Sequence, residues 1–361
     1  MNNKWTALER KMRDSGVNTL LITDPKHVYY LTGFLSNPHE RFLGAVLQAG
    51  SEPFLVVPAL DEEAARKAAN VTEILTHGDT DDPYAILKQR LGGSLGTLGF
   101  EKEQVSVANF ERMQEKLSFS ESVDIGPWLR DMRVRKSPEE VGKIKHAVDL
   151  IEQVLSESLK KVKEGVTENE LVAEVEYQIR KLGADGPSFD SMVLSGEKTA
   201  LPHGVPGDRQ IRRGDLLMFD IGVYADGYAS DITRTFAVGE LSEELVRIYE
   251  TVLAANEAAI AAIRPGVTFA SIDRAAREVI EAAGYGPYFI HRLGHGLGID
   301  VHEFPSVHGE NDFLLAEGHV FTVEPGIYVP GVGGVRIEDD VLVTATGVEV
   351  LTSYPKQLTH I

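Results

Sequence analysis

The sequence predicts an α/β (α+β) chain in two parts: a layered α/β domain, then a domain built from two similar αβ units. Over the first 125 or so residues, short apolar runs alternate with helical patterns. A helix start at Ser137-Pro138-Glu139-Glu140 follows a basic stretch and marks a boundary. Beyond it, three signals recur in the same order about 100 residues apart.

Residues 5–15 have the spacing of an amphipathic helix that stops at Gly16, and residues 19–23 read as a short buried strand. A helix is expected at 61–70, with apolar strand-like stretches at 71–75 and 96–99. The basic run at 130–136 reads as a solvated linker. Ser137 then supplies an N-cap, Pro138 the first helical position and Glu140 the capping-box partner. These signals place the domains at 1–130 and 131–361.

The 361 residues suit two domains. Against 55 acidic residues stand 36 Lys and Arg, a net charge of −19 that argues against nucleic acid or an anionic membrane as the main partner. With no cysteine, disulfides, thiol nucleophiles and cysteine-ligated zinc are excluded, and a reducing compartment is suited. The first 21 residues hold scattered charges and no apolar signal-peptide core, and no apolar run approaches the roughly 20 residues of a membrane span. A soluble, cytoplasmic protein is expected.

In the second part, Gly165-Val166-Thr167 and Gly266-Val267-Thr268 each open a helix. Pro202-His203-Gly204-Val205-Pro206 recurs loosely as Val301-His302-Glu303-Phe304-Pro305, and GDLLMFDIGVY (214–224) recurs as GHVFTVEPGIY (318–328). The offsets are 101, 99 and 104 residues, so matching positions are expected around a pseudo-twofold axis. Both units then carry a carboxylate in the same place, Asp220 and Glu324.

Asp220 ends a strand that reads as buried, so its charge needs a partner. A hairpin turning at Ala225-Asp226 or at Asp226-Gly227 sets Asp231 opposite or diagonal to Asp220, on the same face. Two close carboxylates repel unless a cation sits between them; otherwise one is solvated at a sheet edge. In the second unit Glu338 is the counterpart of Asp231, beyond a longer glycine-rich loop. Between the units His295 lies among glycines, where nothing bulky blocks a ligand. Four carboxylates and one imidazole form a hard donor set, suited to Mn²⁺ or Co²⁺ more than to zinc, which remains possible.

Asp220, Asp231, His295, Glu324 and Glu338, with the strings HRLGHGLGIDVHEFP, EPGIYVPG and GVRIED, resemble the pita-bread metallopeptidases, above all proline dipeptidase (prolidase) and aminopeptidase P. The likeness extends to the first domain, which resembles the creatinase-type N-terminal domain and includes Tyr29-Tyr30-Leu31-Thr32-Gly33-Phe34. The resemblance implies two divalent metal ions. Asp220 would chelate one, Asp231 and Glu338 would bridge the pair, and His295 with Glu324 would complete the second. It further implies hydrolysis of an Xaa-Pro bond by a metal-bridged hydroxide, with Glu324 also carrying the proton. His203 and His302 would orient substrate and stabilise the intermediate, and His291 would be a further substrate-binding histidine. Arg336 would hold a bridging carboxylate from behind, or else make a surface ion pair.

A homodimer acting on Xaa-Pro dipeptides or short peptides is implied as well. Some compact prolidases carry an arginine four residues after the equivalent of His302, where it pairs with the substrate's free carboxylate; here that position is Ser306, with His308 nearby. The expectation is therefore an Xaa-Pro dipeptidase, with aminopeptidase P activity on longer peptides as the alternative. The remote alternative is a non-catalytic pita-bread binding protein. Creatinase lacks this ligand set, and methionine aminopeptidase lacks such an N-terminal domain. His27, His39, His77, His146, His319 and His360 read as structural or surface residues, with His39 a partial exception, since the resemblance implies an N-terminal domain that reaches the partner subunit's site in a dimer.

Overall fold

The computed structural model describes residues 3–361, which form two compact units, one ending at Arg133 and the other running from Val134 to Ile361. In the first unit, the helix Asn3–Ser15 buries Trp5, Leu8 and Met12, three positions on one helical stripe, and breaks at Gly16 with φ +67°. The strand Thr19–Ile22 is buried on both faces, which explains its unbroken apolar run. It lies inside a six-stranded mixed sheet, antiparallel to Gly44–Gln48 and parallel to Thr97–Phe100. The helix expected at 61–70 is shorter, Glu62–Ala68, entered through a 3₁₀ turn at Ala59–Asp61.

The basic run is not a solvated linker. The helix Gly126–Val134 takes up most of it, and Lys136 is buried with its Nζ 3.0 Å from Glu303. An ion pair spanning so much sequence leaves no local trace. His27, read as a structural or surface residue, is the former: its Nδ1 lies 2.7 Å from buried Glu101, whose other oxygen accepts the Thr23 and Asp24 N–H groups.

The second unit is built twice over. In its first half, the helices Pro138–Leu159 and Glu168–Lys181 pack Ile151, Val154, Leu171 and Val175 against Leu217, Phe219 and Phe236 of a three-stranded sheet. In its second half, the helices Glu243–Ala262 and Phe269–Ala282 pack Ile248, Val252, Ile272 and Ala276 against Phe321, Val323, Val341 and Val343. Ser137 and Thr167 both form full capping boxes, and Thr268 caps the equivalent helix of the second half through Ser271 N–H. Each half therefore presents one antiparallel strand pair: Leu216–Ile221 with Ile232–Ala237, and Val320–Val323 with Asp339–Val343. No described helix is long and apolar enough to cross a membrane.

Candidate active site

The site begins with strand register. In the first half the turn is Asp226-Gly227, with φ +52° and +73°, the two left-handed positions a two-residue hairpin loop needs. Thr233 consequently faces Asp220, and Asp231, just before the strand, falls diagonal to it. Of the two registers open from the sequence, the structure takes the diagonal one. In the second half Val323 faces Asp339 and Gly326 faces Arg336, so Glu324 and Glu338 stand across from each other where the ladder breaks.

His295 lies on the short strand Gly294–Gly296, between Glu303–Val307 and Val320–Val323. The glycines beside it have a different purpose from ligand access. A Cβ on Gly294 would stand 2.0 Å from the Thr322 carbonyl oxygen, and one on Gly296 2.5 Å from the Phe304 carbonyl oxygen. They let three backbones close around the histidine. Gly294→Ala is expected to destabilise the second unit by about 3 kcal/mol or more, because the obstacle is backbone rather than a movable side chain. Urea unfolding of the variant checks this.

A cavity of about 850 Å³ opens over these elements, and His203, Asp220, Asp231, His291, His295, His302, Glu324 and Glu338 all line it, with Arg336. Phe189, Leu201, Val205, Ile290 and Val301 supply apolar wall. His295 Nε2 lies 3.4 Å from Glu324 Oε1 and 3.8 Å from Asp231 Oδ2. Its Nδ1 is 3.2 Å from the Gly296 carbonyl, which makes Nδ1 the donor and turns the Nε2 lone pair toward the carboxylates. Burial, helped by His302, lowers its pKa to about 3, so the ring is neutral. The two rings are 4.0 Å apart.

The carboxylates crowd one another. Burial first, and then the charges of neighbouring carboxylates, push Asp231 and Glu338 well above the usual range. Burial also raises Glu324 to about 7 against the opposing pull of Arg336. Asp231 Oδ1 is buried with no hydrogen-bond partner, whereas Glu338 Oε2 accepts from Thr233 Oγ1 at 2.7 Å. One donor atom from each of Asp231, His295 and Glu338 fits within a mutual 4.8 Å. An orphaned carboxylate oxygen, a neutral imidazole and like charges gathered in a buried site are what a divalent cation would satisfy. The residues present fit a metal centre, and Asp220 and Glu324 line the same cavity.

Arg336 is buried, not a surface pair. Its guanidinium bonds Asp220 rather than Asp231 or Glu338, and also reaches Tyr328 Oη at 2.8 Å and Thr233 Oγ1 at 3.1 Å. The carboxylate it holds is therefore the one expected to chelate, not one expected to bridge. Tyr328 escaped the sequence reading, although its match to Tyr224 in the repeat was a signal. Its hydroxyl, accepting from Arg336, donates to His291 Nε2 at 2.9 Å, while His291 Nδ1 donates to the Arg292 carbonyl at 2.7 Å. Both nitrogens of His291 are thus committed to the protein, and burial lowers its pKa to about 4. It forms wall and support here rather than a free substrate donor. His308, whose Nδ1 accepts the Glu310 N–H, does not line the cavity; Arg292 does, and binds Ser306.

Two helix pairs, each backed onto its own strand pair, with acidic residues and a histidine between them, define the pita-bread class of metal-dependent peptidase. The chain belongs to that class: residues 142–345 match the model of Metallopeptidase family M24, and residues 4–135 match the Creatinase/Prolidase N-terminal domain. It is 43% identical over 359 residues to the protein YkvY of Bacillus subtilis, covering 99% of each chain. Among solved structures it resembles the prolidase of Pyrococcus horikoshii, with a TM-score of 0.92 and 36% identity over 99% of this chain and 100% of the other. The X-Pro aminopeptidase of Thermotoga maritima is similar too, with a TM-score of 0.88 and 34% identity over 98% and 100%.

Proposed function

We propose that this protein is an Xaa-Pro dipeptidase whose five acidic and histidine side chains hold two divalent ions, manganese or cobalt. The observation that carries the reading is a single cavity of about 850 Å³, with apolar walls above a buried carboxylate–imidazole floor. That is room for a short peptide and too little for an extended protein strand. Full-length likeness to a prolidase structure supports the same substrate.

Proline explains why such a site is needed. An Xaa-Pro bond offers no N–H and fixes φ, so a protease that grips its substrate as a β-strand handles it poorly. When bound, the two ions act as Lewis acids and lower the pKa of water. Asp220, Asp231, His295, Glu324 and Glu338 would hold them. Glu324 takes the proton of the attacking water on a carboxylate oxygen and returns it to the proline nitrogen as the bond breaks. His203 and His302, at the exposed side of the cavity, orient the scissile carbonyl and donate hydrogen bonds to its oxygen as charge develops there. The apolar wall of Phe189, Leu201, Val205 and Val301 receives the side chains.

The test is to strip the protein of metal, restore Mn²⁺ or Co²⁺, and compare Ala-Pro with Ala-Pro-Ala, with Glu324→Ala guarding against contaminating peptidases. The dipeptide is expected to be cut faster. Faster cleavage of the tripeptide would replace this reading with aminopeptidase P, the reading that the Thermotoga likeness favours. No cleavage of either would leave a metal site without this activity.

A further inference from the structure

An Xaa-Pro dipeptide carries a free carboxylate on the proline itself, a few ångströms from the bond to be cut. The cavity floor is rich in carboxylates, which repel a substrate anion unless a cation meets it. Two arginines line the cavity. Arg336 is spent: its Nε, Nη1 and Nη2 are bonded to Thr233, Tyr328 and Asp220, and it is buried. Arg292 is exposed, and the only protein bond of its guanidinium among the described residues runs from Nη1 to Ser306 Oγ at 3.1 Å. Nε and Nη2 are left for a ligand.

Ser306 fixes where that guanidinium stands. It is the cross-strand partner of His295, so an arginine tethered to it lies one strand spacing from the metal-ligand candidate. The position four residues after His302, empty of charge in the sequence, is thus covered in space by an arginine ten residues before that histidine. Loop packing places it there, not spacing.

We propose that Arg292 binds the free carboxylate of the dipeptide and so sets the preference for dipeptides over longer chains. The proposal rests on the dipeptidase reading above. A planar guanidinium with two free donors matches a carboxylate. The peptide carbonyl that replaces the carboxylate in a longer substrate has no charge to pair. Ser306 is the positioning residue, holding the fork by one nitrogen.

The experiment uses manganese-loaded enzyme with Ala-Pro and Ala-Pro amide, which differ only in the carboxylate, and compares wild type with Arg292→Gln and Arg292→Lys. Wild type is expected to favour Ala-Pro. In Arg292→Gln, kcat/KM for Ala-Pro should fall about 10- to 100-fold, chiefly through KM, while the amide changes little, as for a lost charge-assisted pair. Arg292→Lys should recover part of the loss. Equal falls on both substrates would overturn the proposal, as would a wild-type enzyme that cuts Ala-Pro and its amide alike. Failure of wild type to cut Ala-Pro would overturn the dipeptidase reading, and this one with it; that outcome is read without any Arg292 variant.

Discussion

Replacing Glu324 with Gln is expected to lower kcat on Ala-Pro by a factor of about 10³ or more while leaving the protein folded. Two losses combine. Glu324 faces His295 Nε2 at 3.4 Å and stands across the strand break from Glu338, so the amide is a poorer ligand at a position that helps to close the centre. An amide also cannot take a proton from water and return it to the leaving nitrogen. The folded state should tolerate the change, since removing a charge from a buried cluster of carboxylates relieves repulsion. Kinetics across a metal titration, with a thermal melt alongside, separate the two losses. Recovery of activity at high metal would reduce Glu324 to a ligand only. Activity within tenfold of wild type at every metal concentration would remove it from the chemistry altogether.

The eight site residues named from the sequence line one cavity because their signal is local and repeated. A carboxylate at the end of an apolar strand, followed by a second one at hairpin distance, is legible wherever strand alternation is legible, and here it occurs twice. What sequence spacing cannot carry is the meeting of loops. Arg292 beside Ser306 and Lys136 beside Glu303 depend on packing between distant segments. So does the row Asp220–Arg336–Tyr328–His291, in which each member is ordinary in its own stretch of chain. The glycines around His295 were visible, but not their reason, since close backbone approach looks in a sequence the same as open space. Arg336 shows the same limit. Its pairing with a site carboxylate was foreseeable, but which carboxylate depended on register and rotamer.

The metal-free protein and the metal-loaded protein should respond in opposite directions to Asp231→Asn. Without metal, Asp231 is a buried carboxylate with one oxygen unpaired and Glu338 and Asp220 pressing on it. The isosteric amide removes that repulsion and offers N–H donors to the surrounding carboxylates, so the metal-free melting temperature is expected to rise. With metal, the sign reverses. A cation that binds only the folded chain stabilises it by about 4 kcal/mol at 1,000 times its dissociation constant, on the order of 10 °C for a domain this size. That increment needs the ligand. Wild type should therefore gain on addition of Mn²⁺ while Asp231→Asn gains little, so the two melting curves exchange order between chelator and metal. A variant that keeps the full metal-induced shift would show that Asp231 is not a ligand, and its unpaired oxygen would then need another explanation. A variant less stable than wild type in chelator would instead show that the buried carboxylate is already neutral in the metal-free protein.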